Sequence, residues 1–344
     1  MIVDDSAVAR AVLARMVSAE PDFELAALAA NARDALAALK TVNVDIVLLD
    51  LEMPETHGLD ALPDILRAGT GAQVLIVSSI AEAGAEMTVR ALAAGAADTL
   101  PKPGTGYFAG RFAEVLAERI RRIGRATRER DEDRAAAESP PLSLREMPQA
   151  PLGCIALAAS TGGLQPLTDF LQALPRRVGV PILVTQHLPP VFMPHFARQL
   201  DRSCGRRVTV AEPGERLRAE RVYLAPGDAH LCAASHADGA VVRLDHGRTP
   251  SGCLPSADPM LASVADAYGE RGLAVMLSGM GRDGLQGSRR LVESGGAVIA
   301  QDRASAAIWG MPRAVAEAGL ACAVLPPRQL AHRVAQRIGD YSWN

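Results

Sequence analysis

The sequence is poor in the features that mark nucleic-acid-binding proteins. Aromatic residues make up only 3% of its 344 residues, and the formal net charge is −3. Surfaces that bind nucleic acid usually carry a basic stripe, often with aromatic side chains on which bases stack. The composition therefore argues against a nucleic-acid partner.

Cysteine pairs and long apolar runs are also missing. The five cysteines, at positions 154, 204, 232, 253 and 322, are odd in number and form no Cys-x-x-Cys motif, so neither a zinc site nor a disulfide framework is expected. No apolar run approaches the roughly 18 residues of a membrane span. Met1 is followed at once by Ile2-Val3-Asp4-Asp5, with neither the basic start nor the cleavage site of a signal peptide. We expect a cytoplasmic protein without direct membrane insertion.

What remains is the composition of a globular protein with more than one domain. Hydrophobic residues make up 49% and charged residues 22% of the chain, which is too long for one ordinary domain. Residues 124–150 change character, because a run dense in charge of both signs is followed by a proline-rich stretch. We predict a first domain over 1–122, a linker over 123–150 and a second domain over 151–340. The charged start of the linker could extend the last helix of the first domain.

The first domain alternates short apolar strands with helical patterns. Strands are predicted at 2–3, 23–28, 44–49, 74–77 and 98–101, with helices between them, one of them capped by Asn31. Five such units in about 120 residues are typical of a doubly wound parallel sheet of the α/β class.

Polar side chains follow four of these predicted strands. Asp4 and Asp5 come after the first, Asp50 after the third, Ser78 after the fourth and Lys102 after the fifth. Because the carboxyl ends of parallel strands open on one crevice, the acidic side chains could hold Mg²⁺ and the lysine could pair with a phosphoryl group. Taken singly, a helix cap or a surface charge is the commoner explanation. Five such residues at successive strand ends favour a site.

On these residues, the segment from 1 to about 122 resembles a response-regulator receiver domain. The resemblance implies that Asp50 accepts the phosphoryl group and that Ser78 and Lys102 respond to it. It implies a Mg²⁺ site formed by Asp5 with Asp4, Asp50 and the Glu52 backbone, and a cis bond between Lys102 and Pro103.

Two positions depart from the receiver pattern. Only three residues precede Asp4, so the start is truncated or the first strand is weak. Thr99 stands three residues before Lys102, where many receivers carry an aromatic switch residue. The usual coupling of hydroxyl and aromatic side chain is not expected here.

The second domain combines a hydroxyl, an imidazole and a carboxylate at the ends of apolar stretches. Ser160 lies in Ala158-Ala159-Ser160-Thr161-Gly162. This run differs from the G-x-S-x-G nucleophile elbow at one position, where Ala158 replaces the first glycine. His187 follows the strand predicted at 182–184, and Asp283 lies in a glycine-rich turn after the strand predicted at 273–277. Further strands are predicted at 154–159, 222–225, 241–244, 297–300 and 322–325, which indicates a second α/β domain with a mainly parallel sheet.

Each of these three residues also has a plain structural interpretation. A small-Ser-small turn is most often structural or phosphate-binding, a lone histidine is most often packed or capping, and an aspartate in a glycine-rich turn is most often a cap. Their shared position at the opening of a parallel sheet favours nucleophilic acyl transfer.

With its surrounding motifs, this half resembles the catalytic domain of the chemotaxis protein-glutamate methylesterases over roughly 151–340. The motifs are Ser160-Thr161-Gly162-Gly163, Gln186-His187, Val222-Tyr223-Leu224-Ala225-Pro226-Gly227, Pro255-Ser256-Ala257-Asp258, Gly279-Met280-Gly281-Arg282-Asp283-Gly284 and Gly310-Met311-Pro312. A receiver followed by a linker is the architecture of this family.

The resemblance implies hydrolysis of glutamate γ-methyl esters on methyl-accepting chemotaxis receptors, and deamidation of glutamine by the same machinery, with no cofactor for the esterase reaction. Ser160 would be the nucleophile, His187 the base and then acid, and Asp283 its partner. Backbone N–H groups near Met280 and Thr161 would form the oxyanion hole. An imidazole pKa of about 6.5 would suit both tasks of His187.

The layout also implies regulation. A chemotaxis histidine kinase would donate the phosphoryl group to Asp50, and we expect the unmodified receiver to cover the esterase crevice until phosphorylation loosens it.

Three other functions stay open on the sequence. A transcriptional regulator would need a helix-turn-helix with a basic face instead of a glycine-rich α/β domain. A receptor-binding adaptor would fit if the three side chains do not converge. A general lipase or esterase would turn over soluble esters at least as well as receptors.

Overall fold

The computed structural model describes residues 1–54, 56–78, 82–102, 109–135 and 142–338. The chain divides into two compact units, Met1–Ala137 and Glu138–Asn344. Within the described residues, none of the helices combines the length and the apolar character needed to cross a membrane.

The first unit alternates strands and helices as the sequence predicts. In chain order its elements are β1 (Ile2–Val3), α1 (Ala7–Ser18), β2 (Leu28–Ala29), α2 (Ala32–Leu39), β3 (Ile46–Leu49), α3 (Gly58–Ala68), β4 (Gln73–Ser78), α4 (Glu82–Ala93), β5 (Asp98–Pro101) and α5 (Ala109–Ala135). The strands form one sheet in the order β2-β1-β3-β4-β5, and every pairing is parallel. This is the doubly wound order in which ligands bind at the carboxyl ends of the strands.

Strand β2 is shorter than the sequence predicts, whereas helix α5 has the predicted extension. The strand predicted at 23–28 is wrong over most of its length, because β2 covers Leu28–Ala29 alone. Its partner β1 has only two residues, so the ladder cannot extend further. The extension of the last helix is confirmed, since α5 continues through the charged run to Ala135, with an Arg122–Glu118 ion pair on its surface.

The second unit is a larger α/β structure. Its elements are β6 (Cys154–Ala159), α6 (Leu164–Ala173), β7 (Ile182–Gln186), α7 (Met193–Cys204), β8 (Val208–Val210), β9 (Val222–Leu224), β10 (His230–His236), β11 (Gly239–Asp245), α8 (Ala257–Tyr268), β12 (Gly272–Met276), α9 (Leu285–Glu293), β13 (Ala297–Gln301), α10 (Met311–Glu317), β14 (Ala323–Leu325) and α11 (Pro327–Ile338). Short 3₁₀ turns precede α7 and β12.

Seven of these strands form a parallel sheet in the order β14-β13-β12-β6-β7-β9-β8. Strands β10 and β11 form a separate antiparallel hairpin. The sequence did not predict β8 or β10. Strand β8 is a three-residue edge strand, and β10 begins and ends on histidines, so neither has a clear apolar pattern.

Strand β6 lies at the centre of this seven-stranded sheet. From β6 the sheet grows one way through β7 and the other way through β12, so the strand order reverses beside β6. The strands here are buried on both faces, and β6 is a run of small and apolar residues without an exposed position. Open α/β sheets bind ligands outside the carboxyl ends of the strands at such a reversal.

Candidate active site

Ser160 lies in a tight turn between β6 and α6, at the carboxyl edge of the sheet. Gly162 has φ of +70°, and an added Cβ would approach the Ala307 Cβ to 2.5 Å, so a residue with a side chain would be strained and crowded there. The Ser160 N–H donates to the Ser278 carbonyl at 3.0 Å, and the Gly163 N–H donates to the Ser160 carbonyl at 2.9 Å. These constraints fix the backbone of the serine and explain why small residues surround it.

The turn after β12 packs directly against this serine. A Cβ on Gly279 would lie 2.9 Å from the Ser160 Cβ and 2.5 Å from the Met311 sulfur. The Gly279 carbonyl accepts hydrogen bonds from Gly310 at 3.1 Å and Met311 at 2.8 Å. Glycine is therefore favoured at 279 because Ser160 and the Met311 side chain leave no space for a methyl group.

The structure brings Ser160, His187 and Asp283 together. The His187 Nδ1 lies 3.0 Å from the Ser160 Oγ, and its Nε2 lies 2.8 Å from the Asp283 Oδ2. Ser160 and Asp283 are buried, while the His187 side chain keeps 16% of its surface exposed. To take the serine proton, Nδ1 must carry the lone pair, and Nε2–H then donates to the carboxylate.

Asp283 is held by residues to which the sequence assigned no role. The Ser256 hydroxyl donates to its Oδ1 at 2.5 Å, and the Ala257 N–H donates to its Oδ2 at 2.6 Å. Ser256 is the N-cap of α8, and its own N–H donates to the His230 Nδ1 at 2.8 Å. His230 is buried and supports this cap. The helix-cap signal of Ser256 was readable, but its contact with Asp283 depends on the fold.

The pair of His187 and Asp283 is electrostatically coupled. Burial opposes charge on His187, but hydrogen bonds with Asp283 and Cys253 outweigh it and raise the His187 pKa from 6.5 to about 9. Burial alone would raise the pKa of the Asp283 carboxyl, but hydrogen bonds from His187, Ser256 and the Ala257 N–H lower it. The expected imidazole pKa near 6.5 is therefore wrong, because the buried carboxylate stabilises the charged ring.

The two candidate oxyanion donors lie in the turns that meet at the serine. Thr161 follows Ser160, and its carbonyl accepts a hydrogen bond from the Ser278 hydroxyl at 3.1 Å. Met280 follows Gly279 in the turn packed on Ser160. Their N–H groups as oxyanion donors remain a prediction.

The first unit has an acidic cluster at the carboxyl edge of its own sheet. Asp4, Asp5 and Asp50 each offer a carboxylate oxygen within 4.8 Å of the others. Lys102 Nζ lies 2.8 Å from the Asp4 Oδ2 and 2.7 Å from the Asp50 Oδ2, and Asp4 and Asp50 are buried. The Glu52 N–H donates to the Asp50 Oδ1 at 3.4 Å. An oxygen-only set of this kind fits Mg²⁺.

The charges of this cluster respond to burial and to one another. Burial raises the pKa of Asp50, and the nearby Lys102 opposes that shift. Burial opposes protonation of Lys102, but hydrogen bonds to Asp4 and Asp50 outweigh it and raise the pKa of the lysine. Lys102 is therefore a cation held beside Asp50.

Two further residues of the receiver pattern, Ser78 and Thr99, lie on the paired strands β4 and β5. The Ser78 hydroxyl, at the end of β4, lies 3.0 Å from the Thr88 hydroxyl on α4. Thr99 is buried in β5, and its carbonyl accepts from Arg119 at 2.9 Å. Lys102 is described, but Pro103 and therefore the predicted cis bond lie outside the described residues, as do 136–141 of the predicted linker.

A doubly wound unit with an acidic cluster and a strand-end lysine, joined to an α/β unit with a Ser–His–Asp triad, defines a receiver-linked serine hydrolase. Family models agree with both halves. The model of the CheB methylesterase matches residues 155–334, and that of the response regulator receiver domain matches residues 1–106. The chain belongs to the family of CheB-type protein-glutamate methylesterases with a receiver domain.

Relatives match along nearly the whole chain. A protein-glutamate methylesterase/protein-glutamine glutaminase 1 of Paramagnetospirillum magneticum is 40% identical, covering 96% of this chain and 93% of the relative. A protein-glutamate methylesterase/protein-glutamine glutaminase 2 of Caulobacter vibrioides is 41% identical and covers 98% of both chains. The crystal structure of the Thermotoga maritima CheB methylesterase catalytic domain is 34% identical with a TM-score of 0.53, covering 54% of this chain and 99% of that one.

Proposed function

We propose that this chain hydrolyses the γ-methyl esters of glutamates on methyl-accepting chemotaxis receptors and deamidates glutamines there, under the control of receiver phosphorylation. The observation that carries the proposal is the hydrogen-bonded chain from Ser160 through His187 to Asp283, with contacts of 3.0 and 2.8 Å. Membership of the methylesterase family supplies the substrate class.

The geometry supports a two-step acyl transfer. The Ser160 Oγ attacks the ester carbonyl while the His187 Nδ1 takes its proton. The tetrahedral intermediate collapses, the C–O bond to the methoxy group breaks, and the imidazolium returns the proton so that methanol leaves. Water, deprotonated by His187, then attacks the carbonyl of the acyl-enzyme. The bond to the Ser160 Oγ breaks, the imidazolium returns its proton to that oxygen, and a glutamate carboxylate is released. With a glutamine, the first leaving group is ammonia.

Asp283 has the role of holding the ring and stabilising its charged form. Its carboxylate accepts from Nε2–H, which keeps the lone pair of His187 on Nδ1 beside the serine. The donors from Ser256 and Ala257 keep the carboxylate ionised and fixed. We also propose that the N–H groups of Met280 and Thr161 donate hydrogen bonds to the ester oxygen as it becomes negatively charged.

In the receiver, Asp50 is the proposed phosphoacceptor and a chemotaxis histidine kinase the proposed donor. Asp4, Asp5 and Asp50, with the Glu52 backbone, would hold Mg²⁺, which neutralises phosphoryl charge when it is bound. Lys102 would move from the carboxylates to the added phosphoryl group, and Ser78 would follow it. Support comes from the acidic cluster, the Lys102 ion pairs and the match to the receiver family.

Methanol release from methylated receptor membranes tests the enzyme. Ser160→Ala should abolish it, since the nucleophile is gone, while Asp50 still accepts phosphate from acetyl phosphate. Ser203→Ala is a matched control, because the Ser203 hydroxyl donates to the Gln199 carbonyl one turn earlier on α7, at 2.8 Å, and its loss should leave the rate unchanged. Hydrolysis that survives in Ser160→Ala would contradict the assignment of the nucleophile.

Two further measurements separate the remaining alternatives. A fluorophosphonate should label Ser160 in the native chain, whereas a non-catalytic adaptor would stay unlabelled. A general esterase would turn over soluble methyl esters as well as it does receptors. We expect the receptor to be the better substrate.

A further inference from the structure

A cysteine lies against the catalytic histidine. One ligand atom from each of His187, Cys253 and Asp283 lies within 4.8 Å of the other two. The three residues follow β7, precede α8 and follow β12, respectively, so they are distant in sequence and meet only in the fold. We call them the His–Cys–Asp cluster.

The donor atoms of this cluster match one metal ion well. Imidazole nitrogen, thiolate sulfur and carboxylate oxygen are all ligands of Zn²⁺, at about 2.0–2.3 Å. Donors in a tetrahedral zinc site are about 3.3–3.8 Å apart, which follows from those bond lengths. The ligand atom of the partly exposed Cys253 lies within 4.8 Å of those of His187 and Asp283, and the His187 Nε2 lies 2.8 Å from the Asp283 Oδ2. Rotation of these side chains would bring the three atoms to the spacing of a zinc site. Three protein ligands leave a fourth position for water.

The cluster differs in chemistry from the acidic cluster of the receiver. Asp4, Asp5 and Asp50 offer oxygen alone, which suits Mg²⁺, while the thiolate of Cys253 selects a softer ion. The cluster is also reachable, because Cys253 is partly exposed and its neighbour Leu254 is 49% exposed.

We propose that the His–Cys–Asp cluster is an inhibitory Zn²⁺ site. A cation on His187 blocks the reaction at either ring nitrogen. At Nδ1 it occupies the lone pair that must take the Ser160 proton, and at Nε2 it replaces the hydrogen bond by which Asp283 orients the ring. Loss of zinc restores both contacts, so inhibition is reversible by a chelator. The inhibition rests on the proposed function, whereas binding of the metal does not.

Binding is tested on the full chain with Co²⁺ as a probe, in excess Mg²⁺ to fill the acidic cluster. A cobalt–thiolate bond gives a sulfur-to-metal charge-transfer absorption, which Zn²⁺ should then remove by displacement. We expect this absorption in the native chain and in Cys204→Ser, and its loss in Cys253→Ser. Cys204 is a matched control because it is, like Cys253, a partly buried free thiol, and it ends α7 without belonging to the cluster.

Inhibition is tested by methanol release during a Zn²⁺ titration, with each variant compared with its own zinc-free rate. The Zn²⁺ concentration for half-inhibition should rise at least about 10-fold in Cys253→Ser and stay unchanged in Cys204→Ser. A chelator should restore the native rate.

Different results would overturn the metal site, its inhibitory role and the proposed function. Absence of the cobalt–thiolate absorption in the native chain, or its persistence in Cys253→Ser, would overturn the site. Equal inhibition of both variants, or a loss of rate that a chelator does not reverse, would overturn its inhibitory role. A native chain without zinc that releases no methanol would instead overturn the proposed function, and the Co²⁺ titration would still test the cluster.

Discussion

At the scale of single residues, Ser256 links the N-cap of a helix to the carboxylate of the proposed triad. Its hydroxyl donates to the buried Asp283 while its backbone begins α8. Ser256→Ala should lower kcat by about 10- to 100-fold with little change in KM. A hydrogen bond to a buried charge contributes about 1.5–3 kcal/mol, and each 1.36 kcal/mol is tenfold in rate. Methanol release at varied receptor concentration measures both parameters.

Ser263→Ala is the matched control for this prediction. Ser263 is also a buried serine of α8, and its hydroxyl donates to Met260 at 2.7 Å. We expect its kcat to stay near the native value. A similar loss of rate in both variants would mean that α8 is destabilised, and that the contact with Asp283 has no special part.

The coupled pair of His187 and Asp283 determines how the rate should depend on pH. In the proposed mechanism His187 must be neutral to accept the serine proton, so we expect kcat/KM to be low below the pKa of His187, to rise through it and to level off above it. Since the pKa of His187 is raised to about 9, the midpoint should lie well above pH 6.5. Initial rates from pH 6 to 10, corrected with Ser160→Ala for spontaneous ester hydrolysis, check this. A profile that is already level at pH 7 would contradict it.

At the scale of elements, the turn after β12 is constrained by the turn after β6. Gly279→Ala places a methyl group against Ser160 and Met311, at 2.9 and 2.5 Å. A displacement of about 1 Å at a reacting group costs about 10²-fold in rate, so we expect a loss of that order. Overpacking should also destabilise the fold by about 1–3 kcal/mol, measured by thermal unfolding.

Gly124→Ala provides the comparison for this change. Within 4 Å, a methyl group there meets the end of the Ile46 side chain at 3.8 Å, so the rate should stay near the native value. Because Gly124 lies inside α5, the stability should rise by about 0.5–1 kcal/mol rather than fall. Gly279→Ala with native kcat would show that the two turns are not tightly coupled.

At the scale of the whole molecule, the receiver and the esterase are expected to communicate. Acetyl phosphate with Mg²⁺ should stimulate methanol release from the native chain. Asp50→Asn should remove the stimulation because the acceptor carboxylate is gone, while hydrolysis without phosphodonor continues. Equal stimulation of both chains would contradict regulation through Asp50.

Much of this protein can be read from its sequence, because the signals are local. Alternating apolar runs predict both parallel sheets, and strand-end residues such as Ser160, His187 and Asp50 stand out because parallel strands expose their carboxyl ends on one edge. The weak elements escape, since β8 and the two-residue β2 depend on their neighbours for pairing rather than on a pattern of their own.

The amino-acid order alone determined the class of fold and the chemical groups of the reaction. Tertiary structure decided which of those groups touch. The fold brings the segment before α8 to Asp283 and His187. Ser256 can therefore donate to the Asp283 carboxylate, and Cys253 lies beside the His187 imidazole. The raised pKa of His187 has the same origin, because a pKa depends on burial and neighbouring charge in three dimensions.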